Sequence, residues 1–378
     1  SETRCLARSD RPKTMQLAAA DMPVYVNPDF RGLPPVLARL FSEQSSRSFF
    51  QTPQWYDVLS RTALPEGTEI RIYSSERPGA EAALLLHTTP EGSQRTLESL
   101  SNFYSIEHDV VAAAGADLQQ ALSAIVGEIQ AERPRWDTLR LGEFDPADRN
   151  SALLRNALRT AKWLVECVPA SVTWYEDTGE LEFADYLKER PSELRNTWRR
   201  KRRALDRSGV LRAAFFPGDL DIDRAVAGYE AVYPLSWKEP EPFPDFMPGL
   251  IRAAAELGAL RLGLYYVHEK PAAAQFWILW DGRAAIYKLA HDRQLDALSL
   301  GTLLTMEMFE RVLKQDHPIE INLGRGDDPY KKLWLPRRRA RWNLHASNPR
   351  TSAGLARGLK GELAKLYHRM RSRATMPA

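Results

Sequence analysis

The chain has 378 residues, enough for two ordinary domains or one large one with well-formed cores. Its 44% hydrophobic and 27% charged residues are those of a soluble globular protein, and a formal net charge of +3 is too small to imply a nucleic-acid partner by itself. No apolar run approaches the roughly 18–20 residues of a membrane span. The N-terminal SETRCLARSDRPKTM lacks the apolar core of a secretory signal, and Cys5 and Cys167 are too far apart to suggest a disulfide framework, so the expected location is the cytoplasm.

Residues 1–22 read as a tail, with Met15 as a candidate start. An extended piece from Val24 leads into a helix, PPVLARLFSEQ, with its prolines at the start, where helices tolerate them. FFQTPQWYDVLS opens a second helix, with Thr52 as N-cap and Pro53 in the first turn. The strand-like runs TEIRIYSS, AEAALLLHTT and RTLESLSNFYS follow. After them come a helix (ADLQQALSAIVGEIQAE), a strand (DTLRLG) and a helix within EFDPADRNSALLRNALRTA. WLVECVPASVTWYED is a β-rich run that bridges two halves. FADYLKERPSELRNTWRRKRRALDRSG is helical, restarting at Pro191-Ser192 and stopping at Gly209.

The strand VLRAAFFPG and the helix DIDRAVAGYEAVYPLSW come next. A proline-rich linker then leads to the helix LIRAAAELG and the strand ALRLGLYYVHEK. The organising stretch is Pro271–Pro336. PAAAQFWILW and RAAIYKLAHD are joined by Asp281-Gly282, the strongest short-range hairpin signal. A small-residue turn, ALSLG, opens a helix with Leu303, Leu304, Met308 and Val312 at helical spacing, followed by a strand, IEINLG, and a Tyr-Lys loop. RRRARWNLHAS, a polar break and a last helix, GLARGLKGELAKLYHRMRSR, complete the chain.

The first half repeats this order. Tyr104-x-x-x-His108-Asp109 is echoed by Tyr287-x-x-x-His291-Asp292, and Leu141-Gly142 with Asp145-Pro146 by Leu323-Gly324 with Asp328-Pro329. Two matches in register around one element order predict an internal duplication, hence paired lobes rather than a solenoid. The expected organisation is a disordered tail (1–22), a first lobe (23–170), a second lobe (171–346) and a C-terminal helix and tail (347–378). In that last helix Leu355, Leu359, Leu363, Leu366 and Met370 form one stripe with Lys360, Lys365 and Arg369 off it, a basic amphipathic pattern. Docking onto its own protein is the first use for such a helix. A peripheral membrane surface or a partner protein is the other.

Four stretches carry a resemblance to the GNAT acyltransferase superfamily: LRNTWRRKRRALDRSGVLRAAF, PLSWK, KPAAAQFWILWDGRAAIYKLAHD with its ALSLGTLL turn, and INLGRGDDPYKKLW. More closely, the second half resembles the double-lobed branch of CelD-type and FemAB-type proteins, and residues 24–170 resemble its weaker first lobe, mainly through FFQTPQWYDVL. The resemblance implies an α/β fold (α+β, mixed sheet) of two GNAT-like lobes, the first degenerate, the second an N-acyltransferase. Acetyl-coenzyme A or another acyl-coenzyme A would be co-substrate, and a small-molecule amine or amino sugar the acceptor. FemAB-type relatives take aminoacyl groups from charged transfer RNA instead, the one reading that brings in a nucleic acid. CelD-type relatives point to exopolysaccharide or cell-envelope pathways. A non-catalytic scaffold in such a pathway is a third reading.

Within this resemblance the donor's pyrophosphate lies on the turn Ser299-Leu300-Gly301-Thr302, with Arg293 as the nearest upstream base. Glycine admits close backbone approach, and a helix N-terminus favours anions. An ordinary N-cap at Ser299 is the other reading of the turn. Tyr330, preceded by Asn322 near a strand end, is the candidate general acid for the leaving group or else a tyrosine packed against the helix with its hydroxyl on a backbone carbonyl; Lys331 is a candidate phosphate or carboxylate contact or else a solvent-exposed loop lysine. His291 and Asp292 are the candidate bases, although their recurrence as His108-Asp109 also fits a structural pair. Gln275, Tyr287 and Trp237 are the acceptor-side candidates, with core packing the first reading of Trp237. In the run Arg199–Arg203, Arg199 and Arg202 are candidates for a donor's phosphates, while much of the run must face solvent. The chain has no G-x-S-x-G, Walker A or H-E-x-x-H pattern, and no metal site is expected.

Overall fold

The computed structural model describes residues 22–43, 48–89 and 94–361. In chain order they form β1 (Val24–Val26), α1 (Pro35–Glu43), α2 (Pro53–Thr62), β2 (Ile70–Ser75), β3 (Ala82–Thr88), β4 (Thr96–Ser99) and β5 (Val111–Ala112). Next come α3 (Leu118–Ala131), β6 (Thr138–Phe144), α4 (Arg149–Thr160), β7 (Leu164–Asp177), α5 (Phe183–Glu189), α6 (Ser192–Ser208), β8 (Leu211–Phe216) and α7 (Ile222–Val232). The remainder is α8 (Phe246–Glu256), β9 (Leu260–Val267), β10 (Lys270–Trp280), β11 (Arg283–His291), α9 (Leu300–Gln315), β12 (Glu320–Arg325) and β13 (Arg337–Ser347), then a helical segment over 352–361.

Packing divides the chain into two units. The first gathers Ser1–Ser46, Leu64–Val168 and Trp342–Ala378 as far as these are described; the second gathers Arg47–Ala63 and Pro169–Arg341. The chain passes between them on either side of residues 47–63, then inside β7 and again inside β13. Two boundaries thus depart from the sequence expectation. Residues 47–63 belong with the second unit, because their aromatic rings pack there. Phe49 meets Trp280 at 6.1 Å, Phe50 stacks on Tyr287 at 6.1 Å, and Trp55 meets Phe246 edge-on at 5.7 Å. Thr52 does cap α2, its hydroxyl accepting from the Trp55 N–H at 3.2 Å. The second unit ends at Arg341, ahead of the expected 346, and the described residues from Trp342 on belong to the first unit rather than to a separate tail.

In the first unit the strand order is β1-β2-β3-β4-β6-β13, with β5 beside β3. Neighbours are antiparallel except β4 and β6, which run parallel from the Thr96–Thr138 pair. Helix α3 makes that crossover. It is capped by Asp117 onto the Gln120 N–H at 3.0 Å and buries Leu118, Leu122, Ile125 and Ile129. The second unit has the order β8-β9-β10-β11-β12-β7. His268-Glu269 and Asp281-Gly282 turn its meander with positive φ at all four residues, the geometry of tight hairpin turns. β11 and β12 are its parallel pair, α9 crosses between them, and β7 closes antiparallel to β12 through the Ile321–Glu176 pair. Each unit is therefore a mixed α/β layer structure with one helix-bridged parallel pair beside an antiparallel run.

β13 has no counterpart among the expected elements, because its arginines hide its alternation. Arg337 pairs with Asp177 and Arg338 with Asp327. Arg339 holds Glu320 at 2.7 Å and lies 4.1 Å over the Tyr175 ring. The basic cluster is thus largely neutralised by its own fold.

A buried ion pair ties the second unit together. Arg190 donates to the Trp334 carbonyl, pairs with Glu176 at 3.1 Å and lies 4.3 Å over the Tyr186 ring, whose hydroxyl donates to the same carbonyl at 3.1 Å. Burial pushes the Glu176 carboxyl up, and Arg190 opposes that shift. Arg190→Ala should cost about 3–5 kcal/mol in denaturant unfolding, because it leaves a buried carboxylate and a carbonyl uncompensated. A loss below about 1 kcal/mol would show the pair to be dispensable.

Candidate active site

The site begins where β11 and β12 part. Their ladder closes only at Arg283–Glu320, Ala284–Ile321 and Ala285–Asn322, after which β11 runs on to His291 paired with β10 alone. A bulge between Phe276 and Trp277 in the β10 register bends β11 at Tyr287. An opening at the carboxyl ends of parallel strands, with a helix starting beside it, is where α/β sheets take ligands.

Helix α9 starts there without a side-chain cap, and Ser299 is left-handed at φ 59°. The capping role considered for Ser299 is not what the structure shows. Gly301 is buried, and a Cβ on it would lie 2.8 Å from His291 Nδ1, so the space its missing side chain leaves is filled by the imidazole. His291 Nε2 lies 3.0 Å from Asp296, its ring is 4.8 Å from that of Trp237, and its Nδ1 has no hydrogen-bond partner. Asp292 instead accepts from the Gln294 N–H at 2.8 Å and starts the turn 293–298. The expected His-Asp dyad is therefore His291 with Asp296, because an i+5 residue on that turn reaches the imidazole. The echo in the first unit does not form a dyad either: His108 is buried against Phe144, while Asp109 bonds the Val110 N–H and Asn150. Arg293 lies exposed on the turn, and Lys201 of α6 holds the turn through the Ala297 carbonyl.

The loop between α7 and α8 forms the other lip. Trp237 is half exposed against His291, and Lys238 follows it, with its ammonium 5.7 Å from the Trp237 ring. Burial and the neighbouring ammonium groups of Lys288 and Lys331 push the Lys238 amine down to about 8, against the opposing pull of Glu241 and Asp328. Both carboxylates have nearer partners: Glu241 holds Lys288 at 2.8 Å, and Asp328 lies 3.5 Å from Lys331. Tyr330 is 50% exposed, and partial burial plus the Asp328 carboxylate push its phenol up to about 12. Lys331 is not a solvent-exposed lysine. It is 4% exposed, and its ammonium donates to the carbonyls of Leu323, Arg325 and Gly326 at 3.0, 2.7 and 3.3 Å.

Contacts run from Gly301 through His291 and Trp237 to Lys238, and the charge of Asp328 acts on both Lys238 and Tyr330. Other candidates lie elsewhere. Gln275 is buried opposite Gly263, whose missing Cβ sits 2.9 Å from Leu304 and Met308, so it faces α9. Tyr287 packs on the other face, against Phe50 and Phe276. Asn322 accepts from the Gly324 N–H at 3.1 Å within its own strand. Arg202 is held by Glu307 at 2.6 Å and Asp206 at 3.0 Å, whereas Arg199 is exposed on α6. Lys238 escaped the sequence reading although PLSWK was in view, because only tertiary packing brings two more lysines to it.

Residues 192–332 match the model of the acetyltransferase (GNAT) domain family, so a GNAT-type acetyltransferase domain is present, consistent with acyltransferase activity. The structure is similar to that of FemX, with a TM-score of 0.58 at 9% identity over 82% of this chain and 95% of that one. It is also similar to a conserved protein of unknown function from Bacteroides thetaiotaomicron VPI-5482, with a TM-score of 0.53 at 11% identity over 82% and 96% of the two chains. At such identities the likeness is one of fold. No curated relative matches the sequence.

Gly301→Ala should cost about 1–3 kcal/mol by forcing the His291 ring out of its niche. The penalty should shrink in a His291→Ala background, as expected for groups in contact. A cost that persists there would mean the backbone, not the ring, rejects the methyl group.

Proposed function

We propose that the second unit is an N-acyltransferase of FemAB type, which moves the aminoacyl group of a charged transfer RNA onto a small amine or amino sugar. The CelD/FemAB double-lobed branch is its place in the superfamily, and the first unit is the degenerate copy of a duplication. The exposed arginine row of α6 is the observation that carries the donor assignment. Arg199, Arg203 and Arg207 recur every fourth residue and are exposed, while Arg202 is turned in toward Glu307 of α9. Likeness to FemX over nearly the whole of that chain supports it. So does the α9 turn, which has one glycine and an imidazole filling the space beside it.

In this reading the acceptor amine attacks the ester carbonyl, a C–N bond forms, and the C–O bond to the ribose breaks. Neutral Lys238 takes the proton from the amine, and Tyr330 donates one to the departing hydroxyl. A lysine lowered by burial and like charge suits the first role, and a phenol that stays protonated across the working pH range suits the second. The family model over 192–332 favours a second reading, acetyl- or acyl-coenzyme A as donor, with the same two groups acting on a thioester and a departing thiol.

The donor is tested by titration with transfer RNA and with acyl-coenzyme A over a salt series. RNA affinity should fall steeply with salt and drop about tenfold in Arg199→Gln/Arg203→Gln. Thioester binding without RNA binding gives the second reading instead. For the chemistry, turnover should rise from about pH 7 to 9 with a midpoint near 8, since only the deprotonated Lys238 accepts a proton. Lys238→Gln should flatten that rise. Tyr330→Phe should lower turnover at least tenfold with donor affinity unchanged. An unaltered pH profile removes Lys238 as base, and undiminished turnover removes Tyr330 as acid.

A further inference from the structure

The basic C-terminal helix docks on the first unit by a face the leucine pattern does not suggest. Thr351 caps it, its hydroxyl accepting from the Gly354 N–H at 3.1 Å. Gly354, Gly358 and Gly361 then point inward. A Cβ on Gly354 would lie 2.3 Å from the Asn348 carbonyl and 2.6 Å from that of Asp137, and one on Gly358 would lie 2.3 Å from Leu164. On Gly361 it would lie 3.2 Å from Glu166. Only glycine lets the helix axis come this close. Because the glycines take the inner face, the leucines are turned about a third of a turn away from it. Leu355 is 41% exposed and Leu359 53%.

The docked helix is therefore amphipathic with its apolar side outward. In the sequence the stripe continues through Leu363, Leu366 and Met370, which lie outside the described residues. Residues 350–378 carry seven Lys and Arg against the single Glu362, and Arg357 and Lys360 flank the exposed leucines. That charge decides the occupant. A second copy of the same helix would bring like charges together, whereas an anionic surface takes the leucines and neutralises the flanks at once. Among the described residues no helix is long and apolar enough to cross a membrane, so the contact is with a surface rather than a span.

We propose that this helix lays its outward leucine stripe into an anionic lipid surface, using the first unit as a rigid mount. The proposal is independent of the donor and of the chemistry assigned to the second unit. It is tested by sedimenting the full chain with phosphatidylcholine vesicles containing phosphatidylglycerol, and with phosphatidylcholine vesicles alone. Binding is expected to the first and at least tenfold less to the second, weakening with salt. Leu355→Glu/Leu359→Glu should lose at least tenfold more, and Arg357→Gln/Lys360→Gln a smaller share; all four positions are exposed, and an unchanged thermal melt confirms the fold. Wild-type protein left in the supernatant with both vesicles overturns the proposal, as does equal binding of the leucine variant or no preference for the anionic lipid. Light scattering that shows a dimer split by the leucine variant overturns it in favour of self-association.

Discussion

A buried ammonium sits where the parallel pair of the second unit opens. Beyond three ladder pairs β12 stops bonding to β11, and there the carbonyls of Leu323, Arg325 and Gly326 turn to one side chain. Lys331 supplies all three contacts from one atom, with its own amine pushed down by burial and pulled back by Asp328. A lysine in that position is costly unless fully satisfied, and here backbone oxygens satisfy it. The rest of the site follows from that opening. α9 can start beside the end of β11 that β12 no longer covers, His291 can turn into the space left by Gly301, and the α7–α8 loop can close over the edge with Trp237 and Lys238.

The second consequence is electrical. Lys331 is neutralised by dipoles and by a half-exposed aspartate, so its charge is still felt by Lys238. Lys288 is neutralised by Glu241 in the same neighbourhood. Lys238 is the amine left over, and the one lowered to about 8. Structural cations thus tune a third cation without touching a substrate. The same economy runs through several arginines. Arg190, Arg202 and Arg339 are bound into the fold by carboxylates, whereas the α6 row is exposed.

What the sequence made legible was local. The Asp281-Gly282 hairpin, the Thr52 cap, the stop at Gly209 and the helical period of α9 each depend on a few adjacent residues, and each is present as expected. The GNAT resemblance was legible through PLSWK and the Tyr-Lys loop, and the family model overlies the same stretch. Long-range choices were not. Nothing near Trp55 announces that its ring meets Phe246, and so α2 was assigned to the wrong half. Arginine-rich β13 reads as a surface patch until Asp177, Asp327 and Glu320 are known to lie beside it. The adjacency of His291 and Asp292 suggested a dyad, whereas backbone direction gives the aspartate to a turn and leaves the imidazole to Asp296.

The strand exchange has a consequence for synthesis. The first unit's sheet closes with the last part of β13, paired to β6 through Leu344–Leu141, yet about 200 residues separate those strands in the order of translation. At ribosomal rates that gap lasts on the order of tens of seconds. Throughout it, β6 presents an unpaired edge with buried-type residues such as Leu139 and Leu141, the condition that invites pairing with a foreign strand. A nascent chain of this protein therefore carries its aggregation hazard in the half made first, and only arrival of the arginine-rich strand removes it.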